Sequence, residues 1–302
     1  NFYNDSLDGL IRKAFELKNI LAGTAKKRGI ELPDLPQVEF FATPDEADKC
    51  ESFTGVLAEP NEDIRGLKQL AIYGCKGMSA YARHAANLGY EEEDVYAIIE
   101  NAIAETARPD MSVEDLLSLV LEVGDGGVKV MDLLDRANTS TYGNPEVTKV
   151  DIGVRNRPGI LISGHDLKDL EELLEQTKDK GVDVYTHSEM LPGHYYPFFK
   201  KYPHFAGNYG NAWWKQTTEF EKFNGVFLFT TNCIVPPRGN CPYMDRVYTT
   251  GVVGMPGTHH IPDGHPKDFS KLIEHAQKCP PPTEIEHGEI TGGFAHHQVV
   301  DL

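Results

Sequence analysis

GILISGHDLKDLEELL, residues 159 to 174, is the stretch that decides the fold of this chain. Its first five residues, Gly159–Ser163, form a short apolar run that is typical of a strand buried on both faces. After the turn residues Gly164 and Asp166, leucines recur at the spacing of one helix face, with charged residues between them. These leucines are Leu167, Leu170, Leu173 and Leu174. A strand followed at once by an amphipathic helix predicts the repeating unit of a parallel α/β sheet.

Further strand-like runs follow, with room for helices between them. Val182–Tyr185 is the second predicted strand, Val226–Thr230 is the third, and Val247–Val253 contains a fourth. The region after the second strand is rich in histidine, proline and aromatic residues, and is predicted to be helical to about Trp214. Lys267–Lys278 is the next predicted helix. This alternation predicts a Rossmann-like domain with a mainly parallel sheet.

The first half of the chain has the periodicity of helices. Apolar residues recur at helical spacing in four segments, which are residues 2–28, 61–88, 91–107 and 112–134. The polar segment Asn138–Pro145 is predicted to be a loop. The GDGG stretch at Gly124–Gly127 lacks the preceding strand of a phosphate loop, so we interpret it as close helix packing or a kink. The predicted fold class is therefore multidomain α and α/β, with a helical bundle over residues 1–147 and an α/β domain over residues 148–302.

The composition argues against some classes of partner and cellular location. The chain has 302 residues, and its formal net charge of −17 argues against a nucleic-acid partner, because phosphate binding requires clustered lysine and arginine. No apolar run approaches the roughly 18 residues that span a bilayer, so we expect no membrane association. The five cysteines are odd in number and include no CxxC pair, which favours a reducing compartment and predicts a cytoplasmic location.

Three potential metal ligands each follow a predicted strand: His165, Glu189 and Cys233. The carboxyl ends of parallel strands face one crevice, so the three side chains are expected to meet there. An imidazole, a carboxylate and a thiolate together suit iron bridged by both sulfur and oxygen, whereas zinc sites more often use closely paired ligands. Spacing alone leaves ordinary roles open: a helix-capping histidine, a solvated glutamate and an inert buried thiol.

Several motifs, in order along the chain, match one known family. Leu161–Leu170 reads LISGHDLKDL, Val184–Pro192 (VYTHSEMLP) is close to VYTHGEMLP, and Thr230–Ile234 (TTNCI) is close to TSNCI or TTNCL. Thr139–Pro145 (TSTYGNP) and Asp245–Gly254 (DRVYTTGVVG) match as well. These motifs resemble those of the hybrid cluster protein family, also called prismane proteins or hydroxylamine reductases, over nearly the whole chain.

The resemblance implies a ligand set. It makes His165, Glu189 and Cys233 ligands of a hybrid iron–sulfur–oxygen cluster, with Ser188 standing where the family usually has glycine. The family's N-terminal cysteine motif, which holds a conventional iron–sulfur cluster, and its later cluster segments are not found in this sequence. We therefore expect an internal fragment with a partial ligand set. Cys50, the remaining cysteines and the histidine pairs match no ligand position; these are Cys75, Cys241, Cys279, His259–His260 and His296–His297.

The resemblance also implies an activity. Members of the family reduce hydroxylamine to ammonia and water with two electrons from a reductase, and nitric oxide reduction is attributed to them too. No proton donor is assigned, although His187 and His194 lie near Glu189 in sequence. Two alternatives remain: a catalytically incomplete fragment or iron-binding scaffold, and a relative of nickel–iron carbon monoxide dehydrogenase, against which the GHDLKDL run argues.

Overall fold

The structure, a computed structural model, describes residues 4–32, 55–231, 233–238 and 240–300. Contacts divide the chain into two compact units. One contains residues 87–89 and 135–302, and the other contains residues 2–86 and 90–134. The domain boundary expected after residue 147 stays a prediction. Among the described helices, none has the length and apolar character that crossing a membrane requires.

Long helices make up the first half of the described chain, as predicted. They are α1 (Asn4–Lys27), α2 (Glu62–Asn87), α3 (Glu93–Thr106) and α4 (Val113–Tyr142). Polar side chains cap two of them. The Asn61 side chain accepts hydrogen bonds from the N–H groups of Asp63 and Ile64, at 3.0 and 3.2 Å. Ser112 and Asp115 each accept a hydrogen bond from the other's backbone N–H, which fixes the start of α4.

Helix α4 extends further than the sequence predicted. The segment Asn138–Pro145, predicted to be a loop, is helical as far as Tyr142. The hydroxyls of Thr139 and Thr141 donate to helix carbonyls four residues earlier, so these polar residues do not interrupt the helix. Tyr142 is buried, with its ring centroid 4.8 Å from that of Phe199. Tertiary packing therefore outweighs the loop-like composition.

The α/β half contains one parallel sheet. The strands described in this half are β1 (Thr148–Asp151), β2 (Gly159–Ser163), β3 (Asp183–His187), β4 (Phe205–Asn208), β5 (Val226–Phe229), β6 (Val247–Thr250), β7 (His259–Ile261) and β8 (Glu289–Gly292). Six of them form a sheet in the order β4-β3-β2-β5-β6-β7, and every neighbouring pair is parallel. Strands β1 and β8 form a separate antiparallel pair. The predicted mainly parallel sheet is confirmed, and its order is that of a doubly wound fold.

Strands β2 and β5 lie in the middle of the sheet and are buried throughout, as their continuous apolar sequences predict. Ile160 and Ile162 belong to the core on the face covered by the leucine stripe of α5 (Leu167–Thr177). Leu161 and Phe227 belong to the core of the opposite face. Because both faces are filled, the register of the central strands is fixed, and the loops that leave their carboxyl ends are fixed with them.

The region between β3 and β5 differs from the prediction. Predicted to be helical as far as about Trp214, it holds two 3-10 helices, Ser188–Tyr195 and Pro197–Lys201, and then strand β4. The backbone of β4 passes very close to a neighbour: a Cβ at Gly207 would lie 2.2 Å from the carbonyl oxygen of Asp151. Such tertiary contacts leave no periodic signal in the sequence, so this edge strand was missed.

The GDGG stretch lies inside α4, where one glycine is a close-packing position. A Cβ at Gly126 would lie 2.6 Å from Met78 Cε and 2.8 Å from Ile98 Cγ2, whereas Gly124 and Gly127 have no such neighbour within 4 Å. This supports the interpretation as close helix packing.

We predict that Gly126→Ala lowers the free energy of unfolding by roughly 1–2 kcal/mol relative to Gly124→Ala, because overpacking outweighs the gain in helix propensity. Gly127→Ala is the second control, and both controls are expected to stabilise the chain by about 0.5–1 kcal/mol. Urea denaturation followed by circular dichroism measures the differences. Equal effects at all three positions would contradict the packing role of Gly126.

Candidate metal centre

The three predicted site residues follow adjacent strands. His165 follows β2 and Cys233 follows β5, and these two central strands are neighbours in the sheet. Glu189 follows β3, the neighbour of β2 on the other side. The strand order reverses at β2, and in doubly wound sheets a crevice opens at this point, outside the carboxyl ends of the strands.

The side chains of His165 and Cys233 meet. His165 Nδ1 lies 3.4 Å from Cys233 Sγ and 3.0 Å from Thr231 Oγ1. Thr231 Oγ1 in turn lies 3.7 Å from the same sulfur. His165 is more than 60 positions from Thr231 and Cys233 along the chain, so the parallel sheet brings it to them. Thr231 was not singled out from the sequence, because a threonine in a loop carries no distinctive signal.

Gly164 makes the close approach of these loops feasible. Its φ of 123° lies in the region that favours glycine. A Cβ there would lie 2.3 Å from Thr230 Oγ1 and 2.8 Å from the backbone nitrogen of Thr231. The loop after β2 can therefore lie against the loop after β5 only when residue 164 has no side chain. The glycine of the GHD sequence thus helps to place His165 beside Cys233.

Glu189 enters the site from a strained turn. Ser188 has a φ of 53°, an uncommon value for a residue other than glycine. Its hydroxyl donates a hydrogen bond to the Glu189 carboxylate. The carboxylate also interacts with the side chains of His165 and Cys233, since both contribute to its electrostatic environment. The side chains of His165 and Cys233 therefore meet, Glu189 lies near enough to interact with both electrostatically, and the role of all three as ligands stays a prediction.

Burial sets the protonation of this group. It raises the pKa of the Cys233 thiol, although the Thr231 hydroxyl opposes the shift, and it lowers the pKa of His165. Burial also acts to raise the pKa of Glu189, but the hydrogen bond from Ser188, a backbone hydrogen bond and the nearby His165 together outweigh it, so that this pKa is lowered. At neutral pH the site thus presents a neutral imidazole, a carboxylate and a thiol. A positive metal would favour the thiolate.

His187 and His194, the two histidines near Glu189 in sequence, lack the properties of a proton donor. His187 is fully buried, with Nδ1 3.1 Å from Ser163 Oγ, and burial lowers its pKa to about 4. His194 is stacked on Phe205 and its Nε2 lies 2.9 Å from Thr186 Oγ1; burial lowers its pKa to about 3. Both imidazoles are therefore neutral at physiological pH and held by the core.

The other cysteines occupy ordinary positions where they are described. Cys75 is buried on α2, and burial raises its pKa. Cys279 donates a hydrogen bond to the His275 carbonyl oxygen, and Cys241 packs against the core. Cys50 lies outside the described residues. The inert role expected for these thiols stays a prediction.

We predict that Ser188→Gly is more stable than Ser188→Ala by roughly 0.5–1 kcal/mol. Both variants lose the hydroxyl, but only glycine relieves the positive φ, and this relief exceeds the entropic cost of glycine. The free energies of unfolding come from chemical denaturation of the two proteins under one set of conditions. The opposite order, which is usual in helices and strands, would show that residue 188 does not hold this backbone conformation.

Comparison with known proteins identifies the family. The Prismane/CO dehydrogenase family model matches residues 12–301. The chain is 56% identical to a hydroxylamine reductase of Parabacteroides distasonis and 57% identical to one of Porphyromonas gingivalis; the alignments cover 100% of the chain and 56% and 55% of those proteins.

The chain thus spans about half the length of the curated relatives it matches. A solved structure of acetyl-CoA synthase/carbon monoxide dehydrogenase, with NiZn[Fe4S4] and NiNi[Fe4S4] clusters, is 15% identical with a TM-score of 0.46, over 86% of this chain and 38% of that one. The match to the family model and the identity to the relatives lead to one conclusion: the chain belongs to the Prismane/CO dehydrogenase family, as the hybrid cluster protein motifs indicated.

Proposed function

We propose that this chain forms part of a hydroxylamine reductase and that His165, Glu189 and Cys233 are ligands of its hybrid iron–sulfur–oxygen cluster. The observation that carries the proposal is the contact of His165 with Cys233 at the sheet's reversal point, with His165 Nδ1 3.4 Å from Cys233 Sγ and with Glu189 following the neighbouring strand β3. Relatives at 55–57% identity that are named hydroxylamine reductase support the same activity.

The donor atoms fit such a cluster. A thiolate suits iron that is also bridged by sulfide, whereas imidazole and carboxylate suit iron with oxygen neighbours. Cys233 is the one family cluster cysteine in this sequence, so the ligand set here is partial. A conventional iron–sulfur cluster, an external electron-donor reductase and a cytoplasmic location belong to the same proposal for the whole protein.

The reaction requires electrons, protons and access. Hydroxylamine takes up two electrons and two protons and gives ammonia and water, and the cluster would supply the electrons when bound. A cavity of about 300 Å³ is lined by Ser188, Asn208 and Glu286, among others, and so adjoins the residue before Glu189. It is large enough for hydroxylamine or nitric oxide. The lowered pKa values of His187 and His194 make them poor proton donors. Their role would be to hold the shape of the site.

The two other candidates have less support. A carbon monoxide dehydrogenase relative is disfavoured because curated relatives at 56–57% identity carry the name hydroxylamine reductase. An incomplete scaffold remains the alternative for this chain taken alone, since a multi-iron cluster needs several thiolates and the chain supplies one of the expected set.

We predict that anaerobic treatment of the chain with iron and sulfide gives a labile iron–sulfur species without hydroxylamine turnover. Exposed iron at a partial ligand set should be lost or oxidised readily. Sulfide-to-iron absorption, electron paramagnetic resonance and a turnover assay with a chemical reductant measure this. His165→Ala is expected to abolish the iron–sulfur signals, because it removes one of the three ligands, whereas His287→Ala, at an exposed histidine, should leave them unchanged.

Two results would contradict this account. A stable, stoichiometric cluster with turnover would show that the present residues suffice. Iron–sulfur signals that persist in His165→Ala would remove that residue from the ligand set.

A further inference from the structure

A second group of potential ligands lies at the start of α5. Asp166 caps this helix, accepting hydrogen bonds from the N–H groups of Lys168 and Asp169 at 2.9 and 3.2 Å. Asp169 lies one turn further along, and His265 comes from the loop between β7 and the helix Ser270–Ala276. One ligand atom from each of Asp166, Asp169 and His265 lies within 4.8 Å of the others. Across the residues that the structure describes, this is the group with the spacing of a metal site.

Two polar atoms of this group are buried without a hydrogen-bond partner: Asp169 Oδ2 and His265 Nε2. The Asp169 side chain is 1% exposed and that of His265 is 18% exposed. An unpaired buried carboxylate oxygen or imidazole nitrogen is unfavourable, because it has lost its water without a replacement. A metal ion bound through these two atoms would satisfy both.

The charge of the surroundings favours a cation. Three carboxylates, those of Asp166, Asp169 and Glu172, are accompanied by one ammonium, that of Lys267, which donates a hydrogen bond to Asp169 Oδ1. Burial raises the pKa of Asp169 to about 7, and the nearby Asp166 adds to the shift while Lys267 opposes it. One ammonium therefore does not fully neutralise the group, and a dication would.

His265 is already oriented as a ligand. Its Nδ1 lies 2.9 Å from Glu172 Oε1, and the other carboxylate oxygen of Glu172 accepts a hydrogen bond from the Lys267 backbone N–H at 2.8 Å. Metal-binding histidines commonly bond their second ring nitrogen to a carboxylate in this way, which fixes the ring and leaves the first nitrogen for the metal. Here the nitrogen left over is the unpartnered Nε2.

We propose that Asp166, Asp169 and His265 bind a divalent transition-metal ion of the zinc and manganese type, at a site distinct from the candidate cluster ligands. Two bonds of about 2.0–2.2 Å place ligand atoms at most about 4.4 Å apart, so atoms that lie within 4.8 Å of one another require at most a small contraction. Imidazole and carboxylate without thiolate suit these ions and not an iron–sulfur cluster. The competing interpretation is a buried ion pair of Asp169 with Lys267 alone.

The test is Mn²⁺ binding by the full 302-residue chain, measured by electron paramagnetic resonance of the free ion and repeated with Zn²⁺ by equilibrium dialysis. We expect Asp169→Asn and His265→Gln each to weaken binding at least tenfold. Asp179→Asn makes the same change of charge at an exposed residue of positive φ, where asparagine is tolerated, and should bind like the parent. Glu189→Gln, at the other site, should also retain this binding.

Lys267→Met gives an independent readout that does not remove a ligand. If Lys267 competes with the metal for Asp169, its loss should tighten Mn²⁺ binding at least tenfold, and added Mn²⁺ should raise the melting temperature of the variant more than that of the parent. No binding by the parent, equal binding by Asp169→Asn and His265→Gln, loss confined to Glu189→Gln, or unchanged affinity in Lys267→Met would each overturn the proposal.

Discussion

The parallel pairing of β2 with both β3 and β5 is the constraint on which the candidate centre depends. Because β2 lies between the other two strands in the sheet, the loops that follow all three emerge at one edge. Buried apolar side chains on both faces fix the register of the pairing, so a shift by one residue would expose the core. The positions of His165, Glu189 and Cys233 are thus set by the packing of other side chains, those of the buried strands.

Much of this arrangement could be predicted from the sequence. The run Gly159–Ser163 is too short and too continuously apolar for a surface helix, and the structure gives it the predicted bounds. The leucine stripe of α5 likewise specifies which helix face is buried. Because the carboxyl ends of parallel strands lie at one edge of a sheet, the sequence alone predicts that three residues scattered along the chain lie at that edge.

Other features could not be predicted, because they depend on contacts between distant segments. Strand β4 forms where a glycine lets two backbones approach, and helix α4 continues through polar residues because Tyr142 is buried. The group of Asp166, Asp169 and His265 gave no signal either, since His265 is almost 100 residues from the two aspartates. Folding places that histidine beside the start of α5. In the sequence, the acidic residues there are typical of an ordinary helix N-terminus.

Iron-edge anomalous diffraction from crystals of the chain after anaerobic reconstitution with iron and sulfide tests the central claim most directly. The account predicts anomalous density within bonding distance of His165, Glu189 and Cys233, at the carboxyl ends of β2, β3 and β5. Iron bound elsewhere, with no anomalous density near these three side chains, would contradict it.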